Sequence, residues 1–345
     1  MNPHLPRALV TTVTVATVSA FALAGCSTGD PDPTSNPPAN SSASSDAPAT
    51  ESDTASGTSD AAGTTDSAAT ASFPVTIDAA NGEVVIEAKP ERIVSLSPSA
   101  TEILFAIGAG DQVVAADDFS TYPAEAPTTD LSGYDPNVEA IVAYQPDLVV
   151  VANDSNDLVA SLDALDIPVI VSAAPADVEG GYHAVAGLGQ ATGHIEETAD
   201  VVATMRAEMT KAFNDAPQDE QLRIYHELDE TFFSASSNSF IGSVYDRMGA
   251  VNIADEADVD KTGYPQLTEE AIIEADPQLI IITDQASYTA QDLAKRPGWS
   301  KVSAVKEGNI VVVNADIASR WGPRLPQLVT LVADAMSNVK VPAGR

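Results

Sequence analysis

An internal repeat constrains the fold more than any other feature of this 345-residue chain. The segment EAIVAYQPDLVVV at residues 139–151 returns as EAIIEADPQLIII at residues 270–282. Each copy has apolar residues at helical spacing, then a proline, then an unbroken apolar run. Because proline ends a helix and such runs are typical of strands covered on both faces, each copy predicts a helix leading into a buried parallel strand. The duplication predicts two similar lobes.

The repeat extends upstream of both copies. Arg92 and Arg223 begin matching segments at the same separation, and each segment predicts a strand, a polar loop and a helix. Those helices would end at Gly108 and Gly249, since glycine is the usual residue just after a helix C-terminus. The predicted fold class is therefore α/β, with two similar lobes of mainly parallel sheet and a ligand cleft between them.

The remaining elements follow from the same patterns. An Asn81-Gly82 turn signal between two apolar stretches predicts a hairpin ahead of the first lobe. In the first lobe we expect strands at 92–96, 112–116, 148–152 and 168–172, a helix that ends near Ile107 and a helix at 137–144. In the second lobe we expect strands at 223–228, 279–283 and 309–314, helices at 239–249 and 268–275, and a last helix from Pro326.

Residues 193–216 are predicted to form one rigid helix that joins the lobes. The segment has no internal proline, and its apolar residues recur every three or four positions, as in an amphipathic helix. Thr192 is the expected N-cap, and the helix would be about 30 Å long at about 1.5 Å per residue. This places an N-terminal lobe at 73–192 and a C-terminal lobe at 217–345.

The first residues predict export and a lipid anchor. Arg7 is followed by an uncharged apolar run that ends in LAGC at residues 23–26. This pattern resembles a bacterial lipobox and predicts a signal peptide at 1–25, cut before a lipidated Cys26, which would hold the protein at the outer face of the cell membrane. An ordinary signal peptide with an incidental cysteine is the alternative. Because Cys26 is the single cysteine, no intrachain disulfide can form.

Composition predicts a tether after this cysteine. Residues 26–72 consist largely of Ser, Thr, Ala, Asp, Pro and Gly, with scarcely a large apolar side chain. Burial there cannot offset chain entropy, so we expect this segment to be disordered.

The charge balance argues against two kinds of partner. Sixteen Lys and Arg against fifty Asp and Glu give a formal net charge of −34. A surface this acidic repels nucleic acid and anionic lipid headgroups. Clustered basic residues in such a chain are therefore candidates for a specific role.

Five segments along residues 74–341 carry a family resemblance. They are PERIVSLSPSATEILFAIGAGDQVVAADDFSTYP at 90–123, NVEAIVAYQPDLVVV at 137–151, GLGQATGHIEETA at 187–199, FIGSVYDRMGAVNIA at 240–254 and RPGWSKVSAVKEGNIVVV at 296–313. In this order they resemble the solute-binding proteins of ABC importers that take up ferric siderophores, haem and cobalamin. The resemblance implies a monomeric binding protein without a cofactor. It would capture a ferric siderophore, or alternatively cobalamin or haem, and deliver it to the ABC permease and its ATPase.

The resemblance also implies one acidic residue on the surface of each lobe that contacts the permease. In the first lobe the matching residue is Glu102, for which the sequence offers an alternative: residues 99–102 fit a capping box in which Glu102 bonds a backbone amide. In the second lobe the matching position is Ser243, which departs from the acidic residue of cobalamin-binding relatives. Asp246, one helical turn later, could replace it.

The ligand-binding candidates are aromatic and basic residues in loops. Phe119 and Tyr134 match the cleft of the family in the first lobe, where flat rings would suit a large chelate or corrin ring. In the second lobe SRWGPR places Arg320, Trp321 and Arg324 together, which favours an anionic or π-rich ligand. Pairing of the two arginines with surface carboxylates is the alternative. Phe232 and Phe233, after the strand at 223–228, are further candidates for the same cleft, with a place in the core as the alternative for at least one of them. Tyr182 and His183 are weaker candidates, and we interpret Trp299 as structural.

Other chemistry has little support in the sequence. G-x-S-x-G, H-E-x-x-H and G-x-x-x-x-G-K motifs are absent, which argues against the rival class, a secreted α/β enzyme. With four histidines in the chain, a bare transition-metal site is not expected. The segment DVDKTGYPQLTE at 258–269 has acidic residues at EF-hand spacing, but Pro265 interrupts the pattern and no entering helix is predicted, so we interpret it as coincidence.

Overall fold

The computed structural model describes residues 72–217 and 221–340. The predicted signal peptide, Cys26 and nearly all of the tether lie outside these ranges. The first lobe contains, in chain order, β1 Val75–Ala79, β2 Gly82–Ile86, β3 Ile93–Leu96, α1 Pro98–Ala106, β4 Val113–Ala116, α2 Val138–Val142, β5 Leu148–Val151, α3 Leu158–Asp163, β6 Val169–Val171 and α4 Val178–Thr192.

A long helix and the second lobe follow. Their elements are α5 Ile195–Asp215, β7 Arg223–His226, α6 Phe240–Arg247, β8 Val251–Asn252, α7 Glu269–Ala275, β9 Leu279–Thr283, α8 Ala290–Leu293, α9 Ser303–Glu307, β10 Ile310–Val313, α10 Ala315–Ser319 and α11 Leu325–Ser337.

Each lobe is built on a four-stranded parallel sheet, and the two sheets have the same topology. The strand order is β4-β3-β5-β6 in the first lobe and β8-β7-β9-β10 in the second, with every pair parallel. The predicted α/β fold class with two similar lobes is confirmed. The repeat segments lie where expected, as α2 with β5 and α7 with β9.

The two copies of the repeat also form equivalent hydrogen bonds. Arg92 donates from Nε to the carbonyl oxygens of Tyr144 and Gln145 at 3.1 and 3.0 Å, at the end of α2. Arg223 donates from Nε to the equivalent carbonyls of Ala275 and Asp276 at 2.8 and 3.1 Å, at the end of α7. A guanidinium group satisfies carbonyls that a helix end leaves unpaired, and its charge favours that end of the helix dipole. Each lobe thus fixes its helix-to-strand turn in the same way.

A shared layer of helices joins the lobes. Helix α5 packs against α4 from the first lobe and α11 from the second. One apolar cluster runs through this layer and the inner faces of both sheets, and it includes Leu188, Met209 and Val329. Separate clusters fill the outer face of each sheet. Because interiors are close-packed, this continuous core resists large rotations of one lobe against the other.

Several predicted details differ in the structure. The predicted N-cap Thr192 is instead the last residue of α4, where its hydroxyl donates to the Leu188 carbonyl at 2.8 Å, and His194 precedes α5. The hairpin register pairs Ala79 with Gly82, so the turn consists of residues 80 and 81 rather than Asn81-Gly82. Gly108 and Gly249 have φ values of 86° and 78°, as predicted for residues that follow a helix end. Within the described ranges, every helix is too short or too polar to cross a membrane.

The acidic loop at 258–269 is organised by Asp258 through bonds within the protein. The buried carboxylate accepts hydrogen bonds from the side chains of Ser236 and Asn238 and from the backbone amides of Thr262 and Gly263. Desolvation acts to raise the pKa of Asp258, but these donors outweigh it and lower the pKa from 3.8 to about 2. The carboxylate therefore has a structural role.

Replacing Asp258 with alanine is expected to lower the free energy of unfolding at pH 7 by about 2 kcal/mol, since bonds to a charged acceptor are lost. The native pKa lies below that of the unfolded chain, so this stabilisation is present above about pH 4 and is lost as the pH falls towards 2. Urea unfolding at pH 7 and at pH 3 measures both effects. The exposed Asp260 in the same loop is the matched control, and an equal effect of Asp260→Ala would contradict the assignment.

Candidate functional site

The lobes face each other at the carboxyl ends of their strands, where two adjoining cavities form a cleft. The first cavity, of about 360 Å³, is lined by residues that follow β3, β4 and β5 and by residues that follow β9 and β10. The second cavity, of about 430 Å³, is lined mainly by the second lobe. They share Gln285, Asp316, Ser319 and Trp321. Ligands of open α/β sheets generally bind at this edge of the strands.

A buried ion-pair cluster crosses from one lobe to the other beside the cleft. Arg320 Nη1 donates to Glu102 Oε1 at 2.8 Å, and Arg324 Nε donates to Glu102 Oε2 at 2.8 Å. Arg324 Nη2 also donates to Oε1. Arg320 Nη2 donates to the carbonyl oxygen of Phe119 at 3.0 Å and forms an ion pair with Asp316 Oδ1 at 3.1 Å. We call Glu102, Arg320, Arg324 and Asp316 the lobe-bridging cluster.

The cluster changes the predicted roles of its members. Glu102 is 3% exposed, so the expected surface carboxylate is buried in this structure. The alternative capping box is also wrong, because Ser97 is the N-cap of α1 and accepts from the amide of Ala100. Arg320 lines the first cavity of the cleft and Arg324 does not, and the guanidinium groups of both are bonded to Glu102. Both arginines do pair with a carboxylate, as the alternative predicts, but that carboxylate, Glu102, is buried and belongs to the other lobe.

The cluster also borders a further cavity, which shares no lining residue with the two cavities of the cleft. This cavity, of about 640 Å³, is lined by Glu102, Arg324, Tyr122 and Glu125, among others. The Arg324 guanidinium lies over the Tyr122 ring at 4.1 Å from its centroid. The hydrogen bonds that Arg324 donates to Glu102 raise the pKa of Arg324, so its charge is kept.

Aromatic rings line the cleft on both lobes. Phe119 and Tyr134 meet edge to face at 5.7 Å between ring centroids, and both are exposed. They line the first cavity opposite Trp321, which lines both cavities. Four predicted ligand-binding residues thus lie at one cleft: Phe119 and Tyr134 from the first lobe, and Arg320 and Trp321 from the second.

Phe233 is not brought to that cleft. It lies in the loop after β7, where its backbone pairs with Gln266, and it lines neither cavity. Its neighbour Phe232 stacks on the buried Trp299 at 6.2 Å between ring centroids, as part of the core. Trp299 is fully buried, and its indole nitrogen donates to Glu269 at 2.9 Å, which confirms its structural role.

The other candidates also lie away from the cleft. Tyr182 is buried in α4 with the Arg206 guanidinium over its ring, and His183 lines a cavity beside the hairpin. Asp246 is exposed near the end of α6, while Ser243 donates a hydrogen bond from its hydroxyl to the Phe240 carbonyl.

Sequence reasoning missed His226. It is the last residue of β7, is 1% exposed and lines the second cavity. Its Nδ1 lies 3.0 Å from the Tyr245 hydroxyl, and burial lowers the pKa of His226 to about 4, so the ring is neutral at pH 7. The available signal was its place at the carboxyl end of the strand RIYH, the edge where parallel sheets generally bind ligands.

Asp117 gives the first cavity an acidic floor. It follows β4, is 2% exposed, and has one carboxylate oxygen without a hydrogen-bond partner. Burial raises the pKa of Asp117, against the opposing effect of the Ser120 hydroxyl. Gly133 leaves room for this carboxylate, because a Cβ there would lie 2.9 Å from Asp117 Oδ2 and 2.6 Å from the Leu96 carbonyl oxygen. Within residues 72–217 and 221–340, no three His, Cys, Asp or Glu side chains are grouped so as to hold a metal ion.

Comparison with known proteins places this arrangement in a family. Residues 93–317 match the family of periplasmic binding proteins. An ABC transporter substrate-binding lipoprotein of Bacillus subtilis, YvrC, is 32% identical over 275 residues, which cover 76% of this chain and 86% of that protein. A cobalamin-binding protein of Halobacterium salinarum is 34% identical over 283 residues, which cover 78% of this chain and 76% of that protein.

A solved structure agrees with these matches at the level of the fold. The periplasmic vitamin B12 binding protein of Vibrio cholerae superimposes with a TM-score of 0.60 at 24% identity, over 72% of this chain and 97% of that one. With its two parallel-sheet lobes, its inter-lobe cleft and these relatives, the chain belongs to the periplasmic binding protein family and is a substrate-binding protein of the ABC-importer type rather than an enzyme.

Proposed function

We propose that this protein captures a corrinoid of the cobalamin type in the inter-lobe cleft and delivers it to an ABC permease. The observation that carries the proposal is the commitment of Arg320 and Arg324 to Glu102. An anionic ferric chelate, the first expectation from the sequence, would need guanidinium donors that face the ligand. The cleft offers aromatic rings, uncharged polar groups and the carboxylates of Asp117 and Asp316. Arg320 also lines the first cavity, but its guanidinium group is already bonded to Glu102 and to the Phe119 carbonyl.

The walls of the cleft suit a large and nearly neutral ring. Phe119, Tyr134 and Trp321 supply broad contact area with few torsions to immobilise. The carboxylates disfavour a ligand with a high negative charge. The 34% identical relative named as a cobalamin-binding protein supports the same ligand class.

The test is a titration of the purified protein, followed by tryptophan fluorescence, with cyanocobalamin, haemin and ferric enterobactin in parallel. The chain has two tryptophans, of which Trp321 lines the cleft and Trp299 is buried in the core, so a bound corrin ring would quench mainly Trp321. We expect saturable quenching with cyanocobalamin. Saturable binding of ferric enterobactin without binding of cyanocobalamin would overturn the proposal.

Truncating the first-lobe rings should weaken binding strongly. Phe119→Ala and Tyr134→Ala are each expected to cost about 2 kcal/mol, or about 30-fold in Kd for cyanocobalamin, because buried aromatic anchors dominate such sites. Calorimetry measures the loss. Phe233→Ala is the matched control, since that ring is also exposed but lines neither cavity. Equal losses in all three variants would place the ligand elsewhere.

We further propose that docking on the permease uses Asp246 and Glu102. Asp246 is exposed and available at once, whereas Glu102 is bonded to two arginines from the other lobe. A basic group of the permease could reach Glu102 through the cavity lined by Tyr122 and Glu125 and compete with Arg324 for it. Contact of the permease with Glu102 would then weaken the ion pairs that join the two lobes.

A further inference from the structure

Three residues that line the cleft each carry a buried polar atom without a hydrogen-bond partner in the described protein. Asp117 Oδ1 belongs to the first cavity, and Trp321 Nε1 and His226 Nε2 belong to residues that line the second. Buried polar groups in folded proteins are nearly always paired, because an unpaired one loses its bonds to water without replacement. Because the described protein atoms offer these two nitrogens no partner, a partner must come from water or from a bound ligand.

The indole of Trp321 can act only as a donor, since its nitrogen carries a hydrogen and has no available lone pair. The ring belongs to the short segment between α10 and α11, immediately after Arg320. Because Arg320 is bonded to Glu102 and to the Phe119 carbonyl, this segment is fixed against the first lobe. The lobe-bridging cluster thus holds the Trp321 donor in place at the cleft.

The hydrogen-bond network assigns His226 as a donor as well. The Tyr245 hydroxyl is fully buried, and its bonding partner is His226 Nδ1 at 3.0 Å. If Nδ1 carried the hydrogen, the phenolic hydrogen would lack an acceptor, so the hydroxyl donates and Nδ1 accepts. In a neutral imidazole the hydrogen then resides on Nε2. Nε2–H is the second unpaired donor.

Resting on the proposed function, we propose that Trp321 Nε1–H and His226 Nε2–H form a donor pair that binds two carbonyl oxygens of the ligand, such as the amide groups at the rim of a corrin ring. Both donors are uncharged. The Asp316 carboxylate lines the same cavity and would repel a ligand carboxylate placed there. The pair therefore selects amide carbonyls over carboxylates.

Proton NMR of the full protein tests the pair with an internal control. The chain has two indole N–H groups, and that of Trp299 is already bonded to Glu269. Saturating cyanocobalamin, which is diamagnetic, should move the Trp321 indole resonance downfield and leave that of Trp299 in place. Trp321→Phe assigns the two signals. A Trp321 resonance that stays in place while cyanocobalamin saturates the protein would overturn the pair.

Substitutions test the same bonds by affinity. Trp321→Phe keeps an aromatic face but removes the N–H, and should weaken cyanocobalamin about fivefold, the usual worth of one hydrogen bond. His226→Leu combined with Tyr245→Phe removes the second donor together with its internal partner and should have a similar effect. His226→Gln retains an N–H near the position of Nε2 and should lose less. Thermal unfolding of each variant checks that the fold is kept.

The outcomes separate the two proposals. If wild-type protein does not bind cyanocobalamin, the corrinoid function fails, and the donor pair fails with it. If wild-type protein binds but Trp321→Phe and the His226 double variant bind equally well, only the donor pair is overturned. A visible cobalt spectrum that changes on binding to wild type but not to His226→Gln would indicate an imidazole–cobalt bond, and would overturn the donor role of His226.

Discussion

Replacing Glu102 with alanine is expected to lower the free energy of unfolding by about 3 to 5 kcal/mol, because it leaves two buried guanidinium groups without their carboxylate. The Arg320 and Arg324 side chains are 8% and 16% exposed, so water cannot fully replace the lost partner. Urea unfolding of the purified protein, with and without the change, measures the difference. Such a loss would exceed that of most single substitutions.

The same experiment has a control on the neighbouring surface. Glu125 is exposed in the cavity that Glu102 borders, and Glu125→Ala should change the free energy of unfolding by less than about 0.5 kcal/mol. Losses of similar size in both variants would mean that acidic charge in general, rather than the buried pair, stabilises the protein.

Removing three members of the lobe-bridging cluster together should cost less than removing Glu102 alone. In a variant with Glu102, Arg320 and Arg324 all replaced by leucine or methionine, no buried charge lacks its partner. Buried ion pairs are often matched in stability by apolar residues of similar volume, because desolvation offsets much of their attraction. The cluster is therefore better explained by positioning, since it sets how the two lobes meet and where Trp321 lies.

The sheet architecture could be predicted because its signals are local. Apolar runs such as LVVV and LIII, each preceded by a proline, located β5 and β9 to within one residue, and the repeat then implied two equal lobes. Helices α3 and α4 were missed. Helix α4 contains four glycines, which weaken the helical signal, and it is stabilised by packing against α5 and α1 rather than by its own propensity.

The site could be predicted only in part, because the sequence shows which residue types are present but does not show which side chains contact each other. Aromatic loops and the SRWGPR segment correctly marked the cleft. Glu102 and Arg320, however, are 218 residues apart, and nothing in either local sequence indicates the other. The misplaced capping box has a local cause: Pro98 at the first helical position starts α1 early, which makes Ser97 the cap and frees Glu102 to cross the lobe boundary.

Reversing the charge of Asp246 should abolish uptake while leaving capture intact. Asp246 is exposed on α6 and away from the residues that line the cleft, so Asp246→Arg should leave the Kd for cyanocobalamin unchanged within twofold. Like charges brought together at an interface cost several kcal/mol, so docking of the variant on a basic permease surface should fail. Uptake of labelled cobalamin into cells that carry the cognate permease and ATPase measures delivery, and Asp246→Asn should have an intermediate effect. Normal uptake by Asp246→Arg would exclude this face of the second lobe from docking, and Glu102 would then be the remaining acid through which the permease could act on the lobe-bridging cluster.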